Sequence, residues 1–330
     1  MTITLTLGDP AGIGSELILR AYQTYRPRWP VQVVGSWDVL VDTYQRLRGL
    51  GETVADPARL PLVDVPAPEP ICPGQPSPLT GALSVQYLQT ALALGSGALV
   101  TAPIAKAYWH QAGYSYPGQT EFLAAATGAA ATAMAFFARS PYTGWVLRTV
   151  LVTTHIPLAQ VPAAVTADLL TEKFRLLVAS LRRDFGIERP RIALAGLNPH
   201  AGEQGHLGKE EQQVLEPWRQ EMRARFPQVE LCGPIPPDSL WVAPARAWWQ
   251  PATPAPWDAC LALYHDQGLI PVKALAFDQA VNVTLGLPCI RTSPDHGTAF
   301  DIAGQGKANP ASLISAWQWA EYLWERRHGH

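Results

Sequence analysis

The chain has 330 residues, with 25 Lys and Arg against 27 Asp and Glu for a formal charge of −2, a balance that excludes a broad basic surface for nucleic acid. With 48% hydrophobic and 16% charged residues, global disorder is excluded and there is material for about two domains. The four cysteines, Cys72, Cys232, Cys260 and Cys289, show no CxxC spacing, which argues against a disulfide framework or a thiolate zinc site and for a reducing compartment.

In chain order, residues 1–7 alternate as a first strand and lack the basic segment of a secretion signal, and no apolar stretch reaches the roughly 18 residues of a membrane span. A cytoplasmic protein without membrane contact is expected. Residues 17–25 then carry a helical apolar face and 31–35 a β-branched strand, while 51–78, with eight prolines, predicts an irregular crossing segment. A helix over 81–94, a strand over 98–101 and a helix over 120–126 follow. The later part reads as a strand at 146–153, a helix at 166–185 capped by Thr166, a strand at 192–197, a helix at 209–225 and a strand at 260–264. Residues 241–257, with Trp248 and Trp249 among Pro and Ala, fit neither period and predict a packed surface loop. The alternation of strands and helices argues for the α/β class.

His155, His200 and His265 each fall at or just past the C-terminal end of an apolar run, the edge at which open α/β sheets bind ligands. One such histidine is most simply structural. Three imidazoles with an open fourth position suit a divalent metal that also accepts substrate. The segment GDPAGIGSEL from Gly8 invites a dinucleotide fingerprint but fails it, because Leu17 stands where glycine or alanine is required. It is either a tight turn that lets the backbone approach something or a substrate contact through Asp9. Lys273, Asn282 and Arg291 interrupt apolar runs after His265. Each can be explained by a local ion pair, or the three together by one site for a phosphate or carboxylate.

Several stretches, taken together, resemble the 4-hydroxythreonine-4-phosphate dehydrogenases: GDPAGIGSEL from Gly8, TAPIAKA from Thr101, GQTEFLA from Gly118, TTHIPL from Thr153, GLNPHAGEQGHLGKEE from Gly196, GPIPPDSLW from Gly233, YHDQGLIPVK from Tyr264 and VNVTLGLPCIRTSPDHGTAFDIAGQGKANP from Val281. The last also resembles the HGTA-type nucleotide loop of isocitrate and isopropylmalate dehydrogenases. The resemblance implies two α/β/α domains around a cleft, one formed by 1–118 with 285–330 and the other by 119–284. It places the metal ligands on His155, His200 and His265, substrate contacts on Gln119, Thr120, Lys273, Asn282 and Arg291, and the nucleotide against Asp295, His296, Gly297 and Thr298. One departure stands out. Gln119 replaces the family's histidine before Thr120, and an amide can hydrogen-bond but cannot shuttle a proton.

The implied reaction uses NAD or NADP and one divalent ion (zinc, magnesium or cobalt) to oxidise 4-phosphooxy-L-threonine, with decarboxylation following, in pyridoxal 5′-phosphate synthesis. Lys273, Asp266 and Asp238 are the candidate bases. A homodimer with its active site at the interface is expected. Three alternatives stand beside this: a paralogue acting on D-threonate or D-erythronate 4-phosphate, a three-histidine metal hydrolase, and a non-catalytic phosphate-binding module.

Overall fold

The computed structural model describes residues 2–251 and 253–329; Met1, Ala252 and His330, on which parts of the first-strand, 241–257 and C-terminal-domain expectations fall, lie outside the described residues. The strands in chain order are β1 (Ile3–Thr6), β2 (Val31–Gly35), β3 (Leu62–Asp64), β4 (Ala98–Thr101), β5 (Ala133–Arg139), β6 (Val146–Leu151), β7 (Arg191–Ala195), β8 (Glu230–Ile235), β9 (Ala259–Ala262), β10 (Val281–Leu285) and β11 (Ile290–Pro294). Contacts divide the chain into two α/β units: the first runs to Ala129 and resumes from Leu287 to His328, and the second spans Ala130–Gly286. The sequence reading cuts at 118/119 and 284/285. Helix Gln119–Thr127 joins the first unit, where Phe122 packs edge-on against Trp109 and Tyr116.

In the first unit β1 pairs in parallel with β2 and β4, β2 with β3, and β4 with β11, in the order β3-β2-β1-β4-β11. Parallel neighbours need crossovers, and helices Gly14–Thr24, Trp37–Gly49 and Pro78–Ala93 supply them. β1 and β4 are buried along their whole length, as strands covered on both faces must be. Helix Pro78–Ala93 starts at a capping box in which Ser77 and Thr80 exchange backbone and side-chain bonds, with Pro78 in the first turn, where its missing N–H is not needed. The C-terminal helix Ala311–His328 buries Trp317, which packs against Tyr22 and Tyr25.

The second unit has the order β10-β5-β6-β9-β7-β8, with β5 antiparallel to both neighbours and the β6-β9-β7-β8 run parallel. Thr166 caps helix Ala167–Phe185 as its sequence predicts, accepting the Leu169 N–H, and Gly186 closes the helix in the left-handed conformation. The helix predicted over 209–225 is divided. Glu211–Leu215 winds as a wide π turn before the α-helix Glu216–Arg225, and Pro217, in that helix's first turn, lacks the N–H that would continue an α ladder back through the join. The loop predicted at 241–257 is corrected in its first half, where Val242–Trp249 is a helix. Pro244 lies in the first turn and costs no bond there, while Trp248, 1% exposed, packs with Phe136, Leu151 and Leu269. Burial of the indole outweighs the poor local propensity. No helix among the described residues is long and apolar enough to cross a membrane.

Candidate active site

The carboxyl ends of β6 and β9 lie side by side, since Thr149 pairs with Cys260 and Leu151 with Ala262. His155 follows β6, and His265 opens helix His265–Ala276 after β9. Their rings stand 5.6 Å apart, centre to centre, over an open cleft of about 250 Å³ lined by Ile156, Leu158, Tyr264 and Asp266 together with the two histidines. His265 Nδ1 meets Asp266 Oδ1 at 2.7 Å. A carboxylate on Nδ1 holds the proton there and leaves Nε2 as the lone-pair donor. Lys273 lies eight residues along the same helix, about 12 Å of rise from His265, half-buried with Nζ above the Phe277 ring. Asp238 is exposed in the short helix Pro237–Leu240 beyond β8.

His200 occupies a different kind of position. It begins a run of left-handed residues, His200, Ala201, Gly202, Glu203 and Gln204, with φ between 41° and 79°. For a side-chain-bearing residue this conformation costs roughly 1–2 kcal/mol, so the turn needs support. Glu211, 5% exposed, gives it: its carboxylate accepts the backbone N–H groups of Leu197 and Asn198 at 2.7 and 2.8 Å and the Asn198 amide at 2.9 Å. Asn198 also donates to Glu210, and the hydrogen bonds from Glu210's own N–H and from the Asn198 amide hold the Glu210 carboxyl below its ordinary range. Neither Asn198 nor Glu211 is singled out by the sequence reading. Among the described residues no three His, Cys, Asp or Glu side chains form a complete metal set. The structure pairs His155 with His265 and does not bring His200 into one set with them.

Asn282 lies in β10 opposite Phe136, and its Oδ1 is buried with no hydrogen-bond partner. In the first unit, Arg291 on β11 is 4% exposed and directs Nε and Nη2 at Thr101 Oγ1, at 3.1 and 2.9 Å. Burial pushes its pKa down to about 10, which still leaves it charged at neutral pH. Gln119 starts its helix, 8% exposed, with Nε2 donating to the Ala102 carbonyl at 3.0 Å. A carbonyl can only accept, so the amide orientation is fixed, and the buried Oε1 has no partner. Thr120 follows, half-buried. Consecutive residues at the end of β4, Thr101 and Ala102, thus anchor Arg291 and Gln119.

The glycine-rich segment after β1 serves as the seat for the loop that follows β11. Asp295, His296 and Thr298 are half-buried there and Gly297 exposed. The Ile13 N–H donates to the Thr298 carbonyl, and a Cβ on Gly12 would stand 2.9 Å from that oxygen, which is why glycine is required. Further along, Glu16 accepts the Ala308 N–H and Arg20 donates to the Gly306 carbonyl. His296 Nε2 is buried and without a partner. Asp9 organises the turn: its two oxygens accept the Ala11 N–H at 3.0 Å and the Thr80 hydroxyl at 3.3 Å. Of the two sequence readings of this segment, the structure supports the tight turn.

Imidazoles at one set of strand ends, with a buried guanidinium and unpartnered amide oxygens among the other predicted site residues, define an α/β protein of the class that binds small ligands at its strand edges. Residues 15–320 match the family described as pyridoxal phosphate biosynthetic protein PdxA. The chain belongs to that family. It is 55% identical over 330 residues to the 4-hydroxythreonine-4-phosphate dehydrogenase of Thermosynechococcus vestitus, with 98% of this chain and 97% of that one covered. The crystal structure of 4-hydroxythreonine-4-phosphate dehydrogenase from Klebsiella pneumoniae is similar at a TM-score of 0.81 and 36% identity, covering 98% of this chain and 97% of that one. A terephthalate 1,2-cis-dihydrodiol dehydrogenase from Burkholderia xenovorans LB400 is similar at a TM-score of 0.60 and 27% identity, covering 100% and 98%.

Proposed function

We propose that this chain is a metal-assisted, nicotinamide-dependent oxidoreductase of the cytoplasm. In this reading it oxidises 4-phosphooxy-L-threonine to 2-amino-3-oxo-4-phosphooxybutanoate, which loses CO2 to give 3-amino-2-oxopropyl phosphate for pyridoxal 5′-phosphate synthesis. The observation that carries the reading is the His155–His265 pair at a sheet's carboxyl edge, with Asp266 on His265 Nδ1, in a chain whose similar proteins bear that dehydrogenase name.

Neutral imidazoles with a carboxylate behind one of them are donors suited to zinc, cobalt or another divalent ion. Such an ion, held by His155, His200 and His265, would supply the charge that acidifies a substrate hydroxyl and stabilises an enolate. NAD or NADP against Asp295, His296, Gly297 and Thr298 would supply the hydride acceptor. The protein's own groups do the rest. Arg291, preset by Thr101, grips a phosphate or carboxylate, and Asn282 and Gln119 present buried acceptors to hydroxyl or ammonium groups, with Lys273 and Thr120 completing the hold. Because Asp266 is engaged in orienting His265, the hydroxyl proton goes to Asp238, or to Lys273 in its neutral form in place of its part in that hold. One proton leaves oxygen and one returns to carbon after CO2 departs, so turnover releases no net proton.

A second copy of the chain would complete the site. Leu158 beside His155, and Ile270 and Phe277 along the His265 helix, are 68%, 67% and 68% exposed, apolar area that supports a homodimer closed over this edge. NADH formation with 4-phosphooxy-L-threonine and, in parallel, D-erythronate 4-phosphate, each with and without a chelator, tests the whole reading. Chelator-sensitive turnover favouring the threonine phosphate is expected. Preference for the sugar acid moves the enzyme to a paralogous reaction, and no turnover of either overturns the dehydrogenase reading.

A further inference from the structure

The second unit carries a basic groove at the edge of its sheet opposite the histidines. Arg189 stands two residues before β7, and Glu230 opens β8. Both therefore belong to the amino ends of parallel strands whose carboxyl ends lead to His200 and Asp238. An open cavity of about 790 Å³ lies there, lined by Arg189, Arg219 and Arg223 together with Glu230, Leu231 and Cys232, a size within the range of small-ligand sites. Arg219 and Arg223 are four residues apart on helix Glu216–Arg225 and so share one face of it.

The charges of this groove do not cancel. Glu216 is taken by Arg219, whose Nε and Nη2 reach its two oxygens at 2.9 and 2.6 Å. Glu230, the one acidic residue of the lining, is met at 3.4 Å by Arg191 from outside it. Arg189 and Arg223 are both exposed, and neither forms a hydrogen bond or salt bridge among the described residues. Burial and the Glu230 carboxylate raise the pKa of the Cys232 thiol while Arg191 and Arg219 oppose them, so guanidinium charge reaches the wall of the groove. The strand edge adds a neutral donor. β8 ends the sheet, its Glu230 N–H donates to the Pro190 carbonyl, and donors alternate along a strand, so the Leu231 N–H faces away from β7. Three residues on, Pro234 has no N–H. The open edge is thus too short to pair with an added strand, and a small ligand is the occupant it fits.

We propose that this groove binds a small soluble phosphate ester or diphosphate, with the Arg189 and Arg223 guanidinium groups on its oxygens. A planar guanidinium donates to phosphate oxygens in pairs, and the two unmatched charges need an anion of at least that valence. The inference is independent of the metal and nucleotide readings above. Its probes are pyrophosphate and inorganic phosphate, titrated by calorimetry into the full-length wild type and into Arg189→Gln/Arg223→Gln. Both side chains are exposed, so the double variant is expected to melt with the wild type; if it does not fold, each single variant is held to the same criterion. Pyrophosphate is expected to bind the wild type more tightly than phosphate does, to lose affinity with added salt, and to bind the double variant at least about tenfold more weakly. Arg291→Lys separates the groove from the proposed substrate grip, and pyrophosphate binding is expected to survive in it. Equal affinity in the wild type and the double variant, no binding to the wild type, or binding abolished by Arg291→Lys overturns the proposal. Vesicles of phosphatidylcholine with phosphatidic acid test the other source of phosphate: binding to them that pyrophosphate does not displace overturns the soluble ligand.

Discussion

Replacing Asp9 by Asn isolates a carboxylate that the fold holds against its own preference. Asp9 is 1% exposed, and burial raises its pKa from 3.8 to about 6 against the weaker opposing pull of the Ala11 N–H and the Thr80 hydroxyl. A native-state pKa above the unfolded value means that the folded protein binds the proton more tightly. The stability this contributes is therefore fully present below the unfolded pKa of 3.8 and is lost as pH rises through about 6. Two pKa units at about 1.4 kcal/mol each make the loss about 3 kcal/mol at neutral pH. Asn keeps an acceptor for the Ala11 N–H and turns its amide toward the Thr80 oxygen, which accepts as well as donates. Asp9→Asn is expected to be about 3 kcal/mol more stable than the wild type at neutral pH and no more stable in acid. In a unit of this size that is a rise in Tm of roughly 6–12 °C. Calorimetry of both proteins across this pH range reads the difference directly, so other titrating groups cancel. A Tm difference independent of pH, or a variant less stable at neutral pH, refutes the reasoning. Because both Asp9 oxygens are used inside the fold, kcat is expected to be nearly unchanged, and a large loss of kcat would restore the substrate role that the sequence left open.

Four further outcomes can be measured. Gly12→Ala places a methyl 2.9 Å from the Thr298 carbonyl and, on the proposal that the displaced loop holds the nucleotide, is expected to raise the KM for NAD about tenfold, with little change in the KM for the phosphorylated substrate. Arg291→Lys keeps the charge but loses the fork preset by Thr101; kcat/KM is expected to fall about ten- to a hundredfold, as befits a lost charge-assisted bond of about 1.5–3 kcal/mol, and an unchanged value removes Arg291 from the substrate site. Asp266→Ala frees His265 Nδ1, and zinc affinity is expected to drop about tenfold in chelator competition; equal affinity would mean that the carboxylate does not orient the ring. Leu158→Asp puts a charge on the exposed apolar rim and is expected to yield an inactive monomer in sedimentation, whereas an active dimer contradicts the interface.

The strand-end histidines are legible because an α/β chain marks its sheet edges with apolar runs, and a residue just past such a run has few other places to be. The helices at 17–25 and 166–185 are legible for the same kind of reason, a period of 3.6 and, for the second, a cap at Thr166. Helix Val242–Trp249 is not, because its stability comes from burying Trp248 against Phe136 and Leu269, a tertiary contact that no local pattern records. The failed glycine fingerprint has a similar cause. Gly12 serves a carbonyl 286 positions along, at Thr298, so its spacing follows that loop and not a pyrophosphate.

The supports of the site are the least legible part, and the reason is physical. Glu211 holds backbone N–H groups 13 and 14 residues back, and Gln267 reaches a carbonyl 71 residues away; in sequence each is one polar residue among many, since a hydrogen bond to the main chain asks nothing of the partner's side chain. What the sequence does carry is the space those groups need. Gly202 and Gly208 stand where a Cβ would meet Glu211 and Asn198 at 2.7 and 2.2 Å, and a glycine-punctuated stretch around a histidine followed by paired glutamates is the trace such a clamp leaves. The left-handed turn at His200 is thus written indirectly, in residues that make room for its supports, while the histidine itself has a conformation that its own side chain disfavours.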